Sequence, residues 1–403
     1  MSAAAGLVPC PIVQTLITLE SRSVASSVTW DTLRQLAGFR AAKGCAISLY
    51  VDLHPSDSPT AGDAATRVNS LVDQGAKSNG ANRGDQTHEQ RVGLREDFER
   101  IKHFFSEEFD RDGAHGVAVF CAGLDNVWEA LPLSEPVRDE IKVGRDLYLA
   151  PLVPLVGRGE GAVVAHVGRE LGLLYRLRAG RLERIADLSE EQPGQHDQGG
   201  WSQARYQRHI DELAKNHLKT VAAVLERQLR RLQFPGVVVV CPEELKGEFA
   251  DILAADARNA IVGWTTAESH ASPTELYEVS QPVLEKWHQR RESELVARWK
   301  DEAGRNGRAA SGWEETLEAA SDGRVECLVF QEGVEHSACQ CPACGRVSVK
   351  GGRCPLDGME MEQRDEGLDL AVHQVLAHGG HVLALRDQPD LEPVGGVAAI
   401  LRY

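Results

Sequence analysis

The sequence predicts an α/β protein built from several domains. Short apolar runs typical of strands alternate with amphipathic segments typical of helices. The length of 403 residues exceeds what one domain normally holds, and 42% hydrophobic with 26% charged residues is ordinary for globular domains. No run approaches the roughly 18 consecutive apolar residues of a membrane helix, so we expect no membrane partner.

The charge and cysteine content restrict the class of protein further. Lys and Arg number 44 against 60 Asp and Glu, giving −16, which argues against a nucleic-acid coat but allows a local basic surface. The first residues lack the basic segment of a signal peptide, and nine unevenly spread cysteines do not form a secreted disulfide pattern. We therefore expect a cytoplasmic protein with one clustered thiol site.

The first predicted unit covers residues 1–155. Residues 46–53 alternate like a half-buried strand, and residues 116–122 form the apolar run of a buried strand. Between them, large apolar residues at spacings of three and four predict an amphipathic helix. These residues are Leu94, Phe98, Ile101 and Phe105.

Two segments of this unit are expected to lie outside strands and helices. Residues 78–91, within a stretch at 61–91 that is poor in large apolar side chains, predict an exposed loop. Residues 148–155 contain two prolines, which disfavour a helix and predict a linker to the next unit.

The second predicted unit covers residues 156–270. Residues 161–188 have the pattern of a β-hairpin followed by a third strand, and residues 236–241 form the continuous apolar run of a central strand. A long helix over residues 202–232 separates them and ends before Pro235. Its predicted inner face consists of Tyr206, Ile210, Leu213, Val221, Val224 and Leu225.

The third predicted unit covers residues 271–403. A charged amphipathic helix within residues 271–310 connects it to the second unit. Residues 311–403 then alternate helix and strand, as in a compact α/β sandwich, except for a cysteine-rich insertion at 336–358.

The insertion predicts a structural zinc site. Four cysteines fall within sixteen residues: Cys339, Cys341, Cys344 and Cys354. Two tight turns that face each other, Cys341–Cys344 and Cys354–Asp357, suit the four-coordinate preference of Zn²⁺. The second turn has an aspartate where a complete ribbon has cysteine, so the fourth ligand is Asp357, Cys339 or His336. The alternative is a ribbon held by packing without metal.

A second candidate site lies where the long helix begins. The pair Gly199-Gly200 lets the loop approach a partner closely, and Arg205, Arg208 and His209 follow directly. Residues 201–235 carry seven basic against three acidic residues in an acidic chain, which predicts contact with a phosphate backbone. On composition alone, a solvated helix face is the favoured alternative.

Common catalytic motifs are missing from the sequence. It contains no G-x-S-x-G elbow, no phosphate-binding P-loop and no H-E-x-x-H metal motif. Classical hydrolase and nucleotide-binding functions therefore lose support.

Residues 199–208, GGWSQARYQR, match the pattern G-G-Q-S-x-x-R-(aromatic)-x-R at every fixed position except the third, and the chain ends GGVAAILRY. In these motifs the sequence resembles the archaeal and eukaryotic class-1 peptide release factors and their relative Pelota, especially divergent bacterial members. The resemblance extends over nearly the whole chain, although residues 1–155 carry less specific motifs.

The resemblance implies a three-domain, release-factor-like architecture. Residues 1–155 would be a decoding-site-like domain and residues 156–270 an RNase H-like domain that carries the loop into the peptidyl transferase centre. Residues 271–403 would resemble a kink-turn-RNA-binding protein and bear a small zinc-ribbon-like insertion. The implied partners are the ribosomal A site, tRNA and rRNA, and a translational GTPase.

The resemblance also implies site residues, with one departure. Trp201 occupies the position of the family's glutamine, which helps to place water on the ester of peptidyl-tRNA, whereas Gln203 gives a G-x-x-Q pattern with Gly200. The implied catalytic residues are Gln203, Gly199 and Gly200. The implied nucleic-acid-binding residues are Trp201, Ser202, Arg205, Arg208 and His209. The alternative for Gln203 is that it is simply the first polar residue of the helix.

The stop-codon motifs of the family do not survive near residues 77–83 or 148–151. The sequence therefore predicts a codon-independent rescue factor that hydrolyses peptidyl-tRNA on stalled ribosomes. One alternative, favoured by Trp201, is a non-catalytic A-site occupant that acts in hibernation or recruitment. Another is an RNA-binding adaptor that works elsewhere.

Overall fold

The computed structural model describes residues 28–54, 61–78, 86–111, 114–133, 135–157, 161–178, 181–189, 203–232, 235–386 and 388–403. Of the side chains in these ranges, those of residues 61, 78, 157 and 203–207 fall outside the description. Four β-sheets organise the described chain.

The first domain is built on an antiparallel sheet in the order β3-β2-β1-β4. Its strands are Ala46–Asp52 (β1), Gly116–Ala122 (β2), Val127–Leu133 (β3) and Glu140–Gly144 (β4). Its helices are Trp30–Ala37 (α1), Ala61–Ser78 (α2) and His88–His103 (α3), the last continuing into a π-helical turn, Phe104–Glu108. Helices α2 and α3 cover one sheet face, where Val68, Val72, Phe98 and Ile101 are buried.

The predicted strands and the helix around Leu94 are confirmed. Of the loop predicted at residues 78–91, residues 79–85 lie outside the described part of the chain, and the prediction is wrong for Ser78 and for residues 88–91, which are helical. Residues 61–78 form α2, whose inner stripe uses small side chains such as Ala64, Val68 and Val72 in place of large ones. Helix α3 begins at His88 because Thr87 and Gln90 form a capping box.

The linker predicted at residues 148–155 is wrong. This segment forms a 3₁₀ turn, Ala150–Leu152, and a short helix, Val153–Gly157 (α4). Leu149, Leu152 and Val153 are buried in the hydrophobic core. Both prolines lie in first turns, where a missing N–H breaks no helical hydrogen bond, so they are compatible with helix.

The middle domain is a five-stranded sheet in the order β7-β6-β5-β8-β9. The strands are Val163–Val167 (β5), Gly172–Arg178 (β6), Arg181–Asp187 (β7), Val237–Val240 (β8) and Ile261–Thr265 (β9). The first three strands are antiparallel, whereas β8 pairs in parallel with β5 and β9. The helices are Gln203–Arg231 (α5), Glu243–Ile252 (α6) and Ala255–Asn259 (α7).

These elements confirm the predicted hairpin, third strand, long helix and buried central strand. Leu218, Val221 and Leu225 of α5 are buried against the sheet. Placing Leu213 on the inner face is wrong, because its side chain is 38% exposed. The side chain of Tyr206 lies outside the described part of the chain.

The long helix Pro273–Gly304 (α8) joins the middle and third domains. A capping box of Ser272 and Glu275 starts it. Its first half buries Leu276 and Leu284 against the middle sheet, and its second half packs Val296 and Trp299 against the third domain. The same helix therefore contacts both domains, and the predicted domain limits stay a prediction.

The third domain combines a mixed sheet, in the order β10-β16-β11-β15, with a smaller one, β13-β12-β14. The strands of the main sheet are Ala309–Ser311 (β10), Val325–Gln331 (β11), His381–Leu385 (β15) and Val397–Leu401 (β16). The insertion contributes Ala338–Gln340 (β12), Val347–Ser348 (β13) and Glu362–Arg364 (β14). The helices are Gly312–Ser321 (α9) and Gly367–Ala377 (α10). The predicted α/β fold class is confirmed.

Among the residues that the structure describes, no helix is both long enough and apolar enough to cross a membrane.

Candidate functional site

The first candidate site is the start of α5. Gly199, Gly200, Trp201 and Ser202 lie outside the described residues, and Gln203 is the first residue of the helix. The side chains of Gln203 and Arg205 are also outside the description. Their predicted roles in catalysis and RNA binding therefore stay predictions.

The described part of α5 has one buried and one polar face. Ala214, Leu218, Val221 and Leu225 are buried at spacings of three and four, which fixes the helix on the sheet. The side chains of Arg208, His209, Lys215 and Lys219 are exposed. This arrangement presents long cationic side chains to a partner, as a phosphate backbone requires.

Acidic side chains interrupt the basic face of α5. Asp211 and Glu212 are exposed between His209 and Lys215. Asp211 accepts a hydrogen bond of 3.2 Å from Arg169, in the turn between β5 and β6. The basic surface is therefore divided into short stretches, which suits a few positioned phosphate contacts better than a continuous track.

Two histidines of the middle domain are buried and do not reach the exposed face of α5. His166 on β5 and His217 on α5 are each 2% exposed. Burial lowers the pKa of His166, because it disfavours the charged imidazolium. Both histidines therefore belong to the core of the middle domain.

The second candidate site is the cysteine cluster of the insertion. The thiols of Cys341, Cys344 and Cys354 and the carboxylate of Asp357 all lie within 4.8 Å of one another. The Sγ atoms of Cys344 and Cys354 are 3.5 Å apart, and Cys341 Sγ is 3.2 Å from Asp357 Oδ2. Sulfur atoms bound about 2.3 Å from one tetrahedral zinc stand roughly 3.8 Å apart, so the donor spacing fits the ion.

Two equivalent backbone turns build this cluster. The N–H of Gly345 donates to the carbonyl of Cys341 at 3.0 Å, and that of Gly358 to Cys354 at 2.9 Å. Both glycines have φ above 70°, a conformation that side chains disfavour. The repeated pattern C-P-x-(C/D)-G, in CPACG and CPLDG, signals these turns in the sequence. The two glycines were not predicted from the sequence, because the site was inferred from the spacing of its donor residues alone.

The structure brings Asp357, among the three candidate fourth ligands, into the cluster. Its carboxylate accepts from the N–H of Met359 at 3.0 Å, and this bond, together with the neighbouring thiols, lowers its pKa to about 2. Cys339 packs beside the cluster but is not among the four clustered donors. The ring of His336 stacks on Trp313, and its Nδ1 lies 2.6 Å from the carbonyl oxygen of Ser337.

Comparison with known proteins shows what this chain is similar to. Residues 148–303 match the profile described as bacterial archaeo-eukaryotic release factor family 10. The chain is 25% identical over 344 residues to peptide chain release factor subunit 1 of Archaeoglobus fulgidus, covering 77% of this chain and 83% of that protein. The corresponding factor of Pyrococcus abyssi is 26% identical over 329 residues, covering 72% and 79%.

Solved structures were compared as well. The crystal structure of the archaeal translation termination factor aRF1 covers 93% of this chain and 99% of its own, at 16% identity and a TM-score of 0.26. Pelota from Archaeoglobus fulgidus covers 93% and 92%, at 15% identity and a TM-score of 0.33.

The signature loop before α5 and the sequence matches together make this chain similar to translation factors of the release-factor type. Residues 148–303 match family 10 of the bacterial archaeo-eukaryotic release factors, and most of the chain is similar to archaeal peptide chain release factor subunit 1. The resemblance stated from the sequence is therefore confirmed.

Proposed function

We propose that this protein is a cytoplasmic ribosome rescue factor that enters the A site of stalled ribosomes without reading a codon and promotes hydrolysis of peptidyl-tRNA. One observation carries the proposal. In this chain, which is similar to the release factors, the signature loop GGWSQ leads directly into α5, whose described turns expose Arg208, His209, Lys215 and Lys219. The loop with the proposed catalytic residue is thus followed directly by a helix whose exposed cationic side chains can contact RNA phosphates.

Each residue of this segment has a proposed task. The amide of Gln203 orients the attacking water or the terminal adenosine of the tRNA, since it both donates and accepts hydrogen bonds. Gly199 and Gly200 give the loop its close approach. Arg205 and Arg208 hold phosphates, with Ser202 and His209 as further polar contacts, and Trp201 stacks on a nucleobase.

The proposal excludes stop-codon reading because the family's decoding motifs are missing near residues 77–83 and 148–151. The proposed partners are the ribosome, tRNA and rRNA, and a translational GTPase that contacts the third domain.

We further propose that the insertion binds one zinc ion through Cys341, Cys344, Cys354 and Asp357. Three thiolates and one carboxylate at this spacing match zinc chemistry. All four positions of a tetrahedral ion are then filled by protein, so the role is structural. The ion would hold the two turns together and leave no coordination position for a substrate.

The decisive test of hydrolysis is peptide release from purified stalled ribosomes that carry labelled peptidyl-tRNA. Wild type is compared with Gln203→Ala at equal ribosome occupancy, measured by co-sedimentation. Gln207→Ala is the matched control, because it removes the same amide one turn further along α5. We expect release by wild type and Gln207→Ala, and loss of release in Gln203→Ala.

A second candidate function is a non-catalytic A-site occupant, and Trp201 favours it because an indole cannot take the role of the family's glutamine. Binding without release by wild type would establish this function and refute the hydrolase. Release restored by Trp201→Gln would then show that the tryptophan is what abolished the chemistry.

A further inference from the structure

The first and third domains share a single hydrophobic core. One cluster of buried residues contains Tyr50 and Phe120 of the first domain together with Leu328, Phe330 and Val372 of the third. The chain segment 147–152, which ends the first domain, is buried within this core. Its backbone N–H and C=O groups therefore need partners, because unpaired buried polar groups are costly.

Asp369 on α10 supplies two of these partners. One of its carboxylate oxygens accepts hydrogen bonds from the N–H groups of Leu149 at 2.6 Å and Ala150 at 2.9 Å. Asp369 is only 5% exposed, so water does not compete for these contacts. A side chain of the third domain thus binds the backbone of the first, 219 and 220 positions away in the sequence.

His373 lies one turn further along α10 and faces the same segment. Its Nε2 is 2.6 Å from the carbonyl oxygen of Leu147, and its Nδ1 is 3.2 Å from that of Ala37. A carbonyl oxygen only accepts, so the ring is the donor in each hydrogen bond that it makes with these carbonyl groups. Asp369 Oδ2 lies 3.5 Å from Nε2 of the same ring.

Other titratable and charged groups surround the pair on every element packed against it. They are Glu366 on α10, Arg40 after α1, Tyr50 on β1, Glu140 and Lys142 on β4, Asp146 and Tyr148 beside Leu147, and Glu335 before the insertion. Several are already paired, as Lys142 is with Glu366 at 3.0 Å and Arg40 with Asp146 at 3.7 Å. Burial raises the pKa of Asp369, and His373 and the two amide donors oppose this effect.

We propose that Asp369 and His373 form a latch between α10 and the backbone of the first domain, which makes the first and third domains a single unit that opens as a whole. The latch binds the backbone at Ala37 and at Leu147–Ala150 to α10.

Coupling between the domains is tested by native-state hydrogen exchange of the full chain. In wild type, we expect the slowest amides of β1 and β2 to open with the same free energy and denaturant dependence as those of β11 and β16. Asp369→Asn, which keeps an oxygen acceptor but loses the charge, should speed exchange in β1 and β2 at least about tenfold and separate the two openings. Asp365→Asn and His378→Gln, exposed neighbours of the pair, are the matched controls.

Two results would contradict the proposal. The two sheets of wild type could open with different free energies, which would show that they are not one unit. Alternatively, Asp369→Asn could behave like Asp365→Asn, which would show that the carboxylate does not couple them. The wild-type comparison stands even where the Asp369 variant fails to fold.

Discussion

The beginning of α5 and the cysteine-rich insertion both carry chemically distinctive residues. The fold gathers those of the insertion into one cluster, whereas the basic residues of α5 lie along an exposed helix face. In the insertion, two glycine-closed turns bring four donor atoms within 4.8 Å of one another. On α5, packing fixes the helix through Leu218, Val221 and Leu225, whereas the basic side chains point away from the core. The fold thus brings the donors of the proposed ion site together, whereas it only places the proposed RNA-contacting side chains along a helix.

The largest expected effect concerns the insertion. Cys341→Ser should reduce bound zinc from one equivalent to none and remove the exchange protection of residues 338–364, because structural zinc contributes about 10–16 kcal/mol in zinc-finger peptides. Metal analysis and hydrogen exchange measure both effects. Cys339→Ser is the control and should keep its zinc, since Cys339 is not among the clustered donors. Full zinc content in Cys341→Ser would contradict the proposed site.

The next effect concerns how α5 is held. Leu218→Ala should lower the free energy of unfolding of the middle domain by about 2–5 kcal/mol, because it leaves a cavity at a fully buried position. Leu213→Ala, at a 38% exposed position, should change it by less than about 0.5 kcal/mol. Denaturant titration of both variants gives the comparison. Equal losses of stability in the two variants would mean that the inner face of α5 does not run through Leu218.

A smaller effect is expected on the outer face of α5. Arg208→Ala should weaken ribosome binding modestly and reduce the slope of log affinity against log salt by about 1, as the loss of one phosphate contact does. The free energy of unfolding should change by less than about 0.5 kcal/mol, because substitutions of exposed side chains have small effects on stability. Arg227→Ala, an equally exposed arginine near the other end of the helix, serves as control. An unchanged salt slope in Arg208→Ala would argue against a phosphate contact there.

The smallest effect lies at the base of the insertion. Desolvation of its carboxyl group raises the pKa of Glu335 from 4.5 to about 7, although the residue as a whole is exposed, and the hydrogen bond from Tyr148 only partly opposes this rise. The folded state then binds more protons than the unfolded state between these values, so stability should fall as the pH rises from 4.5 to about 7. Thermal melts across this range should be flatter for Glu335→Gln. Identical profiles for both proteins would show that Glu335 does not titrate in this window.

The local sequence pattern predicted correctly those strands and helices whose buried face is marked by their own apolar residues. The strands at 46–53 and 116–122 and the helix through Phe98 follow from alternation and from three-and-four spacing alone. Helix α2 escaped prediction because its inner face uses Ala64, Val68 and Val72, whose small side chains give a weak periodic signal. Leu213 was misplaced because the buried stripe passes through its small neighbour Ala214, which gives a weak apolar signal.

The candidate ligands of the insertion were likewise only partly predictable from the local sequence. The spacing of Cys341, Cys344 and Cys354 predicted three donors, since tight turns are local structures. The choice of Asp357 over Cys339 and His336 depended on how the two turns face each other. His336 instead stacks on Trp313, a contact that no local motif signals.

The sequence by itself determined the alternation of strands and helices, the two cysteine turns, the signature loop and, through that loop and the carboxyl end, the resemblance to the release-factor and Pelota family. Only the tertiary structure decided that residues 148–155 are a buried junction and that Asp369 and His373 hold it. The physical reason is the separation along the sequence between the residues that interact. Turns and helical faces are set by residues within a few positions, whereas the partners of Leu147 and Leu149 lie more than 200 positions away, where periodicity carries no information.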